Sequence, residues 1–266
     1  MEQLVWSVDP VLATFGSFKI HWYGVLFATA ILTGFAIMDK IYKHEGKDTK
    51  ELETLQIYMI IGIVVGARLG HCIFYDPEYY FSNPIQILAV WNGGLASHGG
   101  GIGAILATLF YARKKNISLM YLLDRLAIPT ASFAFFVRMG NLMNSEIVGN
   151  HTLGPWGVVF TRVDTLTRHP AQVYEALSYL VVFIVLTAMY LIPKKKFKTG
   201  MLFGVFLTLV FTARFVIEFV KVPQAAYAND FYLSTGQVLS IPFLIIGAFL
   251  IVKALINAKK ESALKS

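Results

Sequence analysis

The sequence predicts an all-α integral membrane protein: seven transmembrane helices, N-terminus out, C-terminus in, with a small extracytoplasmic cap. Three observations carry this. The 266-residue chain is 56% hydrophobic and only 15% charged, with a mean hydropathy of +0.60. That is more apolar surface than a soluble domain of this length needs, and it points to a bilayer as solvent. Seven apolar stretches are each near the ~20 residues needed to cross ~30 Å of hydrocarbon. The basic residues between them alternate without a break between crowded and sparse sides.

The stretches cover roughly 18–41, 54–75, 85–112, 118–142, 172–192, 200–220 and 236–257, within a single polytopic domain spanning 1–266. The third and fourth are interrupted by glycine and charge. Lysines 40, 43, 47 and 50, the Arg113-Lys114-Lys115 run, lysines 194–196 and 198, and lysines 253, 259, 260 and 265 fall on one side; Lys19, Arg162, Arg168 and Lys221 fall on the other. Of 23 basic residues that is 15 against 4, and the other four lie inside spans. Basic loops stay on the cytoplasmic side, which sets the direction of every span.

The longest outside connection, 143–171, holds the turn-rich NHTLGPWG and is expected to form the cap. The first residues, MEQLVWSVDPVLATFGSF, lack the basic and apolar regions of a signal peptide. A single cysteine, Cys72, rules out an intrachain disulfide. No repeat of 20–50 residues and no low-complexity segment occurs.

At 1.5 Å per residue, Arg138 lies ~28 Å along the fourth span, and Arg214 and Arg68 lie ~21 Å along the sixth and second. His21 and Tyr23, His98, and His169 with Glu175 fall near the outer starts of spans running the other way. Ionisable groups in a span are costly unless paired or wetted, and they usually mark a site. A set at one depth from six helices predicts a polar chamber opening toward the outer leaflet. The inner halves are nearly featureless, which counts against a transport route. Asp124 and Arg125 are the exception, and read as a snorkelling structural pair at the cytoplasmic end.

Each cluster has a plain reading and a sharper one. Arg138 and Asn141 share a helix face, with Glu146 just beyond. They form either an interfacial Arg–Glu anchor or an anion site, because arginine forks onto phosphate and asparagine adds donors. Arg214 and Glu218 are an i, i+4 pair: a structural ion pair, or a second arginine on the same phosphate. His98 opens SHGGGIGAILA as a satisfied buried histidine or a proton-transfer group. Gly99 and Gly103 in that stretch read first as close helix packing. IHWYG, residues 20–24, places aromatics at an interface. RHPAQVYEA, residues 168–176, reads as a helix start with Gln172 and Glu175 on one face.

No HxxxH or HExxH occurs, so zinc is rejected, and no metal, cofactor or nucleic acid is expected. No GxSxG occurs, and Cys72 lies in an apolar run. The chain thus offers phosphate ligands and acid–base groups but no nucleophile of its own. That suits transfer between two bound substrates, at least one a lipid phosphate. A small-solute transporter and a lipid-binding protein without chemistry remain open on the residues alone.

Five motifs in order resemble the bacterial prolipoprotein diacylglyceryl transferases: HWYG at 21–24, WNGGLASHGG at 91–100, RMGNLMNSEIVG at 138–149, HPAQVYE at 169–175 and RFVIEF at 214–219. The resemblance spans nearly the whole chain. Val137, Leu142, Ala171, Lys221 and Gln224 depart from the family's usual residues. The resemblance implies transfer of diacylglyceryl from phosphatidylglycerol to the lipobox cysteine thiol of a prolipoprotein. A thioether forms and glycerol-1-phosphate leaves, the first step of bacterial lipoprotein maturation. It implies the bacterial cytoplasmic (inner) membrane, with the active site toward the outer leaflet. Carried over by residue, it implies phosphatidylglycerol binding by Arg138, Asn141 and Gly149, and catalytic roles for His98, Arg214, Tyr23 and Glu146. His21, Glu175 and Glu218 are secondary candidates.

Overall fold

The computed structural model describes residues 4–90, 93–94, 96–192, 197–222 and 233–263; for Ser97, His98 and 261–263 it describes the backbone alone. Lys194, Lys195, Lys196, Gln224, and Trp91, Asn92 and Leu95 of the second motif lie outside the described residues. In chain order the elements are β1 (Leu4–Trp6), β2 (Val11–Phe15), β3 (Phe18–His21), α1 (Trp22–His44), α2 (Lys50–Phe74), α3 (Pro77–Ser82), α4 (Ser97–Lys114) and α5 (Leu119–Met143). Then follow β4 (Val158–Phe160), β5 (Thr167–Arg168), α6 (Ala171–Leu191), α7 (Met201–Ile217) and α8 (Thr235–Ala263).

The protein is mostly helical. Among the described residues, six helices are long and apolar enough to cross a membrane: α1, α2, α5, α6, α7 with its 3-10 extension, and α8. Leu32, Ile57, Phe110, Ile184, Ile245 and Phe249 are each more than half exposed. Such apolar surface is a liability in water and the natural outer face in lipid.

Three departures from expectation have local causes. The first apolar stretch is helical only from Trp22, because Phe18–His21 pairs antiparallel with Val11–Phe15. Gly16, at φ 61°, makes the two-residue turn between these strands. The third stretch is helical only from Ser97; residues 84–88 form a 3-10 turn and the chain then runs irregularly through Gly93 and Gly94, at φ 81° and 69°. The resulting α4, with 18 residues, spans ~27 Å. Five short strands among the described residues also depart from a purely helical design. β1 pairs parallel with β4, and β4 antiparallel with β5.

Contacts divide the chain into two compact units, Met1–Ile37 with Asp124–Ser266, and Met38–Leu123. In the second, α2 and α4 meet along a glycine seam. A Cβ on Gly66 would stand 2.8 Å from Gly103 Cα, and one on Gly70 would stand 2.8 Å from Gly99 Cα. The small-residue reading of Gly99 and Gly103 therefore holds. Arg68, 3% exposed, donates from Nε to Ile87 O at 2.9 Å and from its other nitrogens to Gln86, Gly93 and Gly94 carbonyls. Its plane also lies over the Tyr80 ring, 4.9 Å from the centroid. Arg68 thus satisfies the carbonyls of the irregular segment that leads to His98.

In the first unit, α6 packs on α7 and α7 on α8. Gly204 and Gly247 let the last pair approach: a Cβ on Gly204 would lie 3.0 Å from Gly247 O. Asp124, fully buried on α5, accepts from Gly200 N at 2.7 Å and Phe203 N at 2.9 Å, capping α7 from a neighbouring helix. The Arg125 guanidinium lies over the Phe197 ring, 5.3 Å from its centroid. Asp124 also lies within charge range of Arg125, its neighbour in sequence. Ser234 and Gln237 form a reciprocal capping box at the start of α8, at 3.2 and 3.0 Å.

The expected cap segment carries β4 and β5 and is joined by β1. Trp6 Nε1 donates to Leu142 O at 3.0 Å, tying this sheet to the end of α5. Phe160 is fully buried beneath it.

Candidate active site

The site grows from the C-terminal end of α5. Arg138 and Asn141 lie three residues apart, and Arg138 Nη1 donates to Asn141 Oδ1 at 3.1 Å. The helix then stops and the chain turns back on itself. Glu146 N donates to Asn141 O at 2.9 Å, while Ser145 and Ile147 hold φ of 56° and 57°. A β-branched residue there is a genuine backbone outlier, and such strain clusters at functional sites. The turn returns the Glu146 carboxylate to Asn141 Nδ2 at 3.3 Å and to the Asn144 amide. Asn141 therefore bridges a cation and an anion, oxygen to Arg138 and nitrogen to Glu146.

Arg138 does not pair directly with Glu146, as a simple anchor would require. Its ion-pair partner is Glu175 on α6, with Nε 2.9 Å from Oε2. Charge and proximity make this contact rather than hydrogen-bond alignment, since Glu175 Oε2 has no aligned donor among the described residues. The Glu175 side chain is 1% exposed and also lies 3.4 Å from Lys221 Nζ. Lys221 in turn lies 3.7 Å from Glu218. Arg138 also reaches the Tyr179 hydroxyl, and Arg214 of α7 lies within charge range of the same group.

Gly140 and Gly149 explain two glycines of the third motif. A Cβ on Gly140 would stand 2.8 Å from the Tyr23 ring, so α1 seats Tyr23 directly against α5. Tyr23 lies within charge range of Glu146 and Arg138. At Gly149 a Cβ would stand 2.6 Å from both His169 Cβ and Val220 O. Gly149 N donates to His169 O at 2.8 Å, and Asn150 N to Val220 O at 2.7 Å. Gly149 thus lets three segments converge behind the loop. Arg168 reinforces the junction, donating to Gly149 O at 3.2 Å and to Asp164 at 3.0 Å.

The structure therefore gathers Tyr23, Arg138, Asn141, Glu146, Gly149, Glu175 and Glu218 into one polar cluster, with Arg214 beside it. His21 is exposed on β3 opposite Val11. His98 stands in the second unit, on the first turn of α4. Two buried polar residues went without an assigned role in the sequence. Lys221 reads there as one of the few basic residues on the sparse side and as a departure from the family pattern. Gln172 is fully buried one turn before Glu175, and neither of its amide atoms has a partner among the described residues. Its shared face with Glu175 was the available signal. Among the described residues no three His, Cys, Asp or Glu side chains group as metal ligands.

Chemically, two arginines and an amide stand beside the buried Glu175 and the more exposed Glu146 and Glu218. Guanidiniums fork onto phosphate oxygens, and asparagine adds a neutral donor. The sequence matches the family described as prolipoprotein diacylglyceryl transferase over residues 10–253. It is 53% identical over 260 residues to the phosphatidylglycerol–prolipoprotein diacylglyceryl transferase of Tolumonas auensis, covering 97% of this chain and 99% of that one. It is 45% identical to the protein of that name from Chloroherpeton thalassium, with 97% of each chain covered. The one from Porphyromonas gingivalis is 44% identical over 272 residues, or 96% of this chain and 95% of that one. With six apolar helices and a match of this extent, the chain is a multi-pass membrane protein and belongs to the prolipoprotein diacylglyceryl transferase family.

Proposed function

We propose that this protein transfers the diacylglyceryl group of phosphatidylglycerol to the lipobox cysteine thiol of a prolipoprotein. The sulfur attacks the glycerol carbon that carries the phosphate oxygen. A carbon–sulfur bond forms, the carbon–oxygen bond breaks, and the electron pair leaves on glycerol-1-phosphate. The thiol proton passes to a base, for which His98 is the candidate. The observation that carries this reading is Arg138, set between Asn141 and Glu175 in a chain of that family.

Arg138 binds the lipid phosphate, with Arg214 as the second cation. Negative charge develops on the departing phosphate, so fixed guanidiniums there stabilise the transition state. Asn141, Glu146 and Gly149 hold the loop that aims Arg138, and Tyr23 packs against it. The nucleophile comes from the protein substrate, which agrees with the burial of Cys72. Seven crossings are proposed, with the short α4 as the third, N-terminus out and C-terminus in. That places the cluster toward the outer leaflet of the bacterial cytoplasmic membrane.

The test is purified protein with phosphatidylglycerol and a lipobox peptide. Thioether-linked diacylglyceryl on the peptide cysteine, with release of glycerol-1-phosphate, is expected. Phosphatidylglycerol consumed without peptide modification, or a peptide acylated through a thioester, would reject the reaction.

A further inference from the structure

We propose that Lys221 is a positioning residue that holds Glu175 as its own counter-ion, so that Arg138 can exchange that carboxylate for a substrate phosphate. The inference rests on Arg138 as the phosphate ligand.

Glu175 lies between two cations, 2.9 Å from Arg138 Nε and 3.4 Å from Lys221 Nζ. It is almost wholly shielded from solvent, and an uncompensated buried carboxylate is costly. With Arg138 as its sole cation, Glu175 would compete with every phosphate that approached the guanidinium. With Lys221 beside it, Glu175 stays compensated when Arg138 turns its charge to a ligand. The cluster of Arg138, Arg214 and Lys221 with Glu146, Glu175 and Glu218 carries equal numbers of each sign, so the anion drawn in adds to a balanced site.

The backbone fixes where Lys221 stands. It bridges antiparallel to Gly149, its N–H donates to Glu218 O at 3.3 Å, and Asn150 N donates to Val220 O at 2.7 Å. Lys221 is thus registered to the end of the same loop that carries Glu146. The side chain is 6% exposed, with its ammonium 3.4 Å from one carboxylate and 3.7 Å from another. A compact ammonium with rotatable donors suits a position between two carboxylates better than a planar fork committed to one.

The test compares Lys221→Met, Lys221→Arg, Glu175→Gln and the double variant Glu175→Gln/Lys221→Met, as detergent-purified full-length proteins. Lys221→Met should lower kcat/KM for phosphatidylglycerol on the order of 30-fold, mainly through KM, as when one partner of a buried charge pair is truncated. Lys221→Arg should restore most of it. The double variant should be faster than Lys221→Met alone, because the carboxylate that captures Arg138 has gone. A purely structural lysine predicts the reverse, a double variant no better than the single one, and that result would overturn the proposal. So would normal KM in a folded Lys221→Met protein. Should Lys221→Met not fold, Lys221→Gln is compared with the double variant, whose buried cluster loses one charge of each sign. If wild-type protein binds phosphatidylglycerol but forms no thioether product, the reaction assignment fails instead. The same order of variants is then read from lipid dissociation constants.

Discussion

Arg138 Nε lies 2.9 Å from Glu175 Oε2, so the guanidinium at the end of α5 is held by a carboxylate from α6. Glu146, five residues beyond Asn141, meets Arg138 only through the Asn141 amide. Protein groups thus hold the arginine through Nε and Nη1. Arg138→Lys keeps the charge and loses the fork, so turnover should fall strongly. Arg138→Ala should lose about 10²–10³ in rate, or ~3–4 kcal/mol of transition-state stabilisation. Turnover per folded molecule of detergent-purified protein decides it. Normal turnover in Arg138→Ala would leave Arg138 as an anchor only.

Gln172 holds a fully buried amide with no partner among the described residues. Burying such a group costs about 1–3 kcal/mol. Gln172→Met keeps the shape and removes that cost. Thermal stability should rise while phosphatidylglycerol turnover falls, the trade expected of a strained functional position. A melting curve and a rate measured on the same preparation check both directions. A less stable variant with normal turnover would make Gln172 a structural residue.

Cys72 is buried on α2 and packs as a small apolar group. Cys72→Ala should keep most transfer activity, since the reacting thiol belongs to the peptide. A folded Cys72→Ala protein without activity would mean a covalent enzyme intermediate.

Between β4 and β5, hydrogen bonds from Arg168 hold the Asp164 carboxyl below the usual carboxylate range. A carboxyl depressed on folding contributes stability that is complete above its unfolded pKa. That contribution is lost as pH falls through the folded value. Hydrogen-exchange protection of β4 and β5, corrected for intrinsic rate, should therefore hold from neutral pH down to about pH 4 and drop only below it. Asp164→Asn should be less protected at neutral pH and should lose this acid transition.

Reporter fusions test the direction of the spans. Fusions after Lys115 and Lys198 should report cytoplasm, and fusions near Asn150 should report the outside. An inverted signal at any one of them would break the charge-based orientation.

Most helix positions were legible because hydrocarbon thickness is a strict filter on apolar runs. α2, α5, α6 and α7 start and end within a few residues of the stretches read from hydropathy. The same filter cannot separate an apolar strand from an apolar helix start. Phe18–His21 therefore read as helix, although the Phe-Gly-Ser-Phe turn was a signal for the hairpin. The start of α4 was hidden because residues 85–90 are mostly apolar, while Arg68, distant in sequence, takes the Gln86 and Ile87 carbonyls. Within the site, Arg138, Asn141 and Glu146 were visible as a local motif. The charged groups packed around that motif come from elsewhere in the chain. Glu175 reaches Arg138 from α6, Lys221 is brought to Glu175 by the bridge at Gly149, and no spacing rule encodes either contact.

The seam between α2 and α4 sets the protein's tolerance to genetic change. Gly66 and Gly70 meet Gly103 and Gly99 backbone to backbone, and there is no side chain to give way. A single added methyl at Gly66 or Gly70 would have to move a whole helix, and with α4 the turn on which His98 stands. Beside them, Ile57, Ile61 and Ile105 face outward and can exchange among apolar types at little cost. Sequence drift in this unit should therefore be fast at its largest residues and nearly frozen at its smallest.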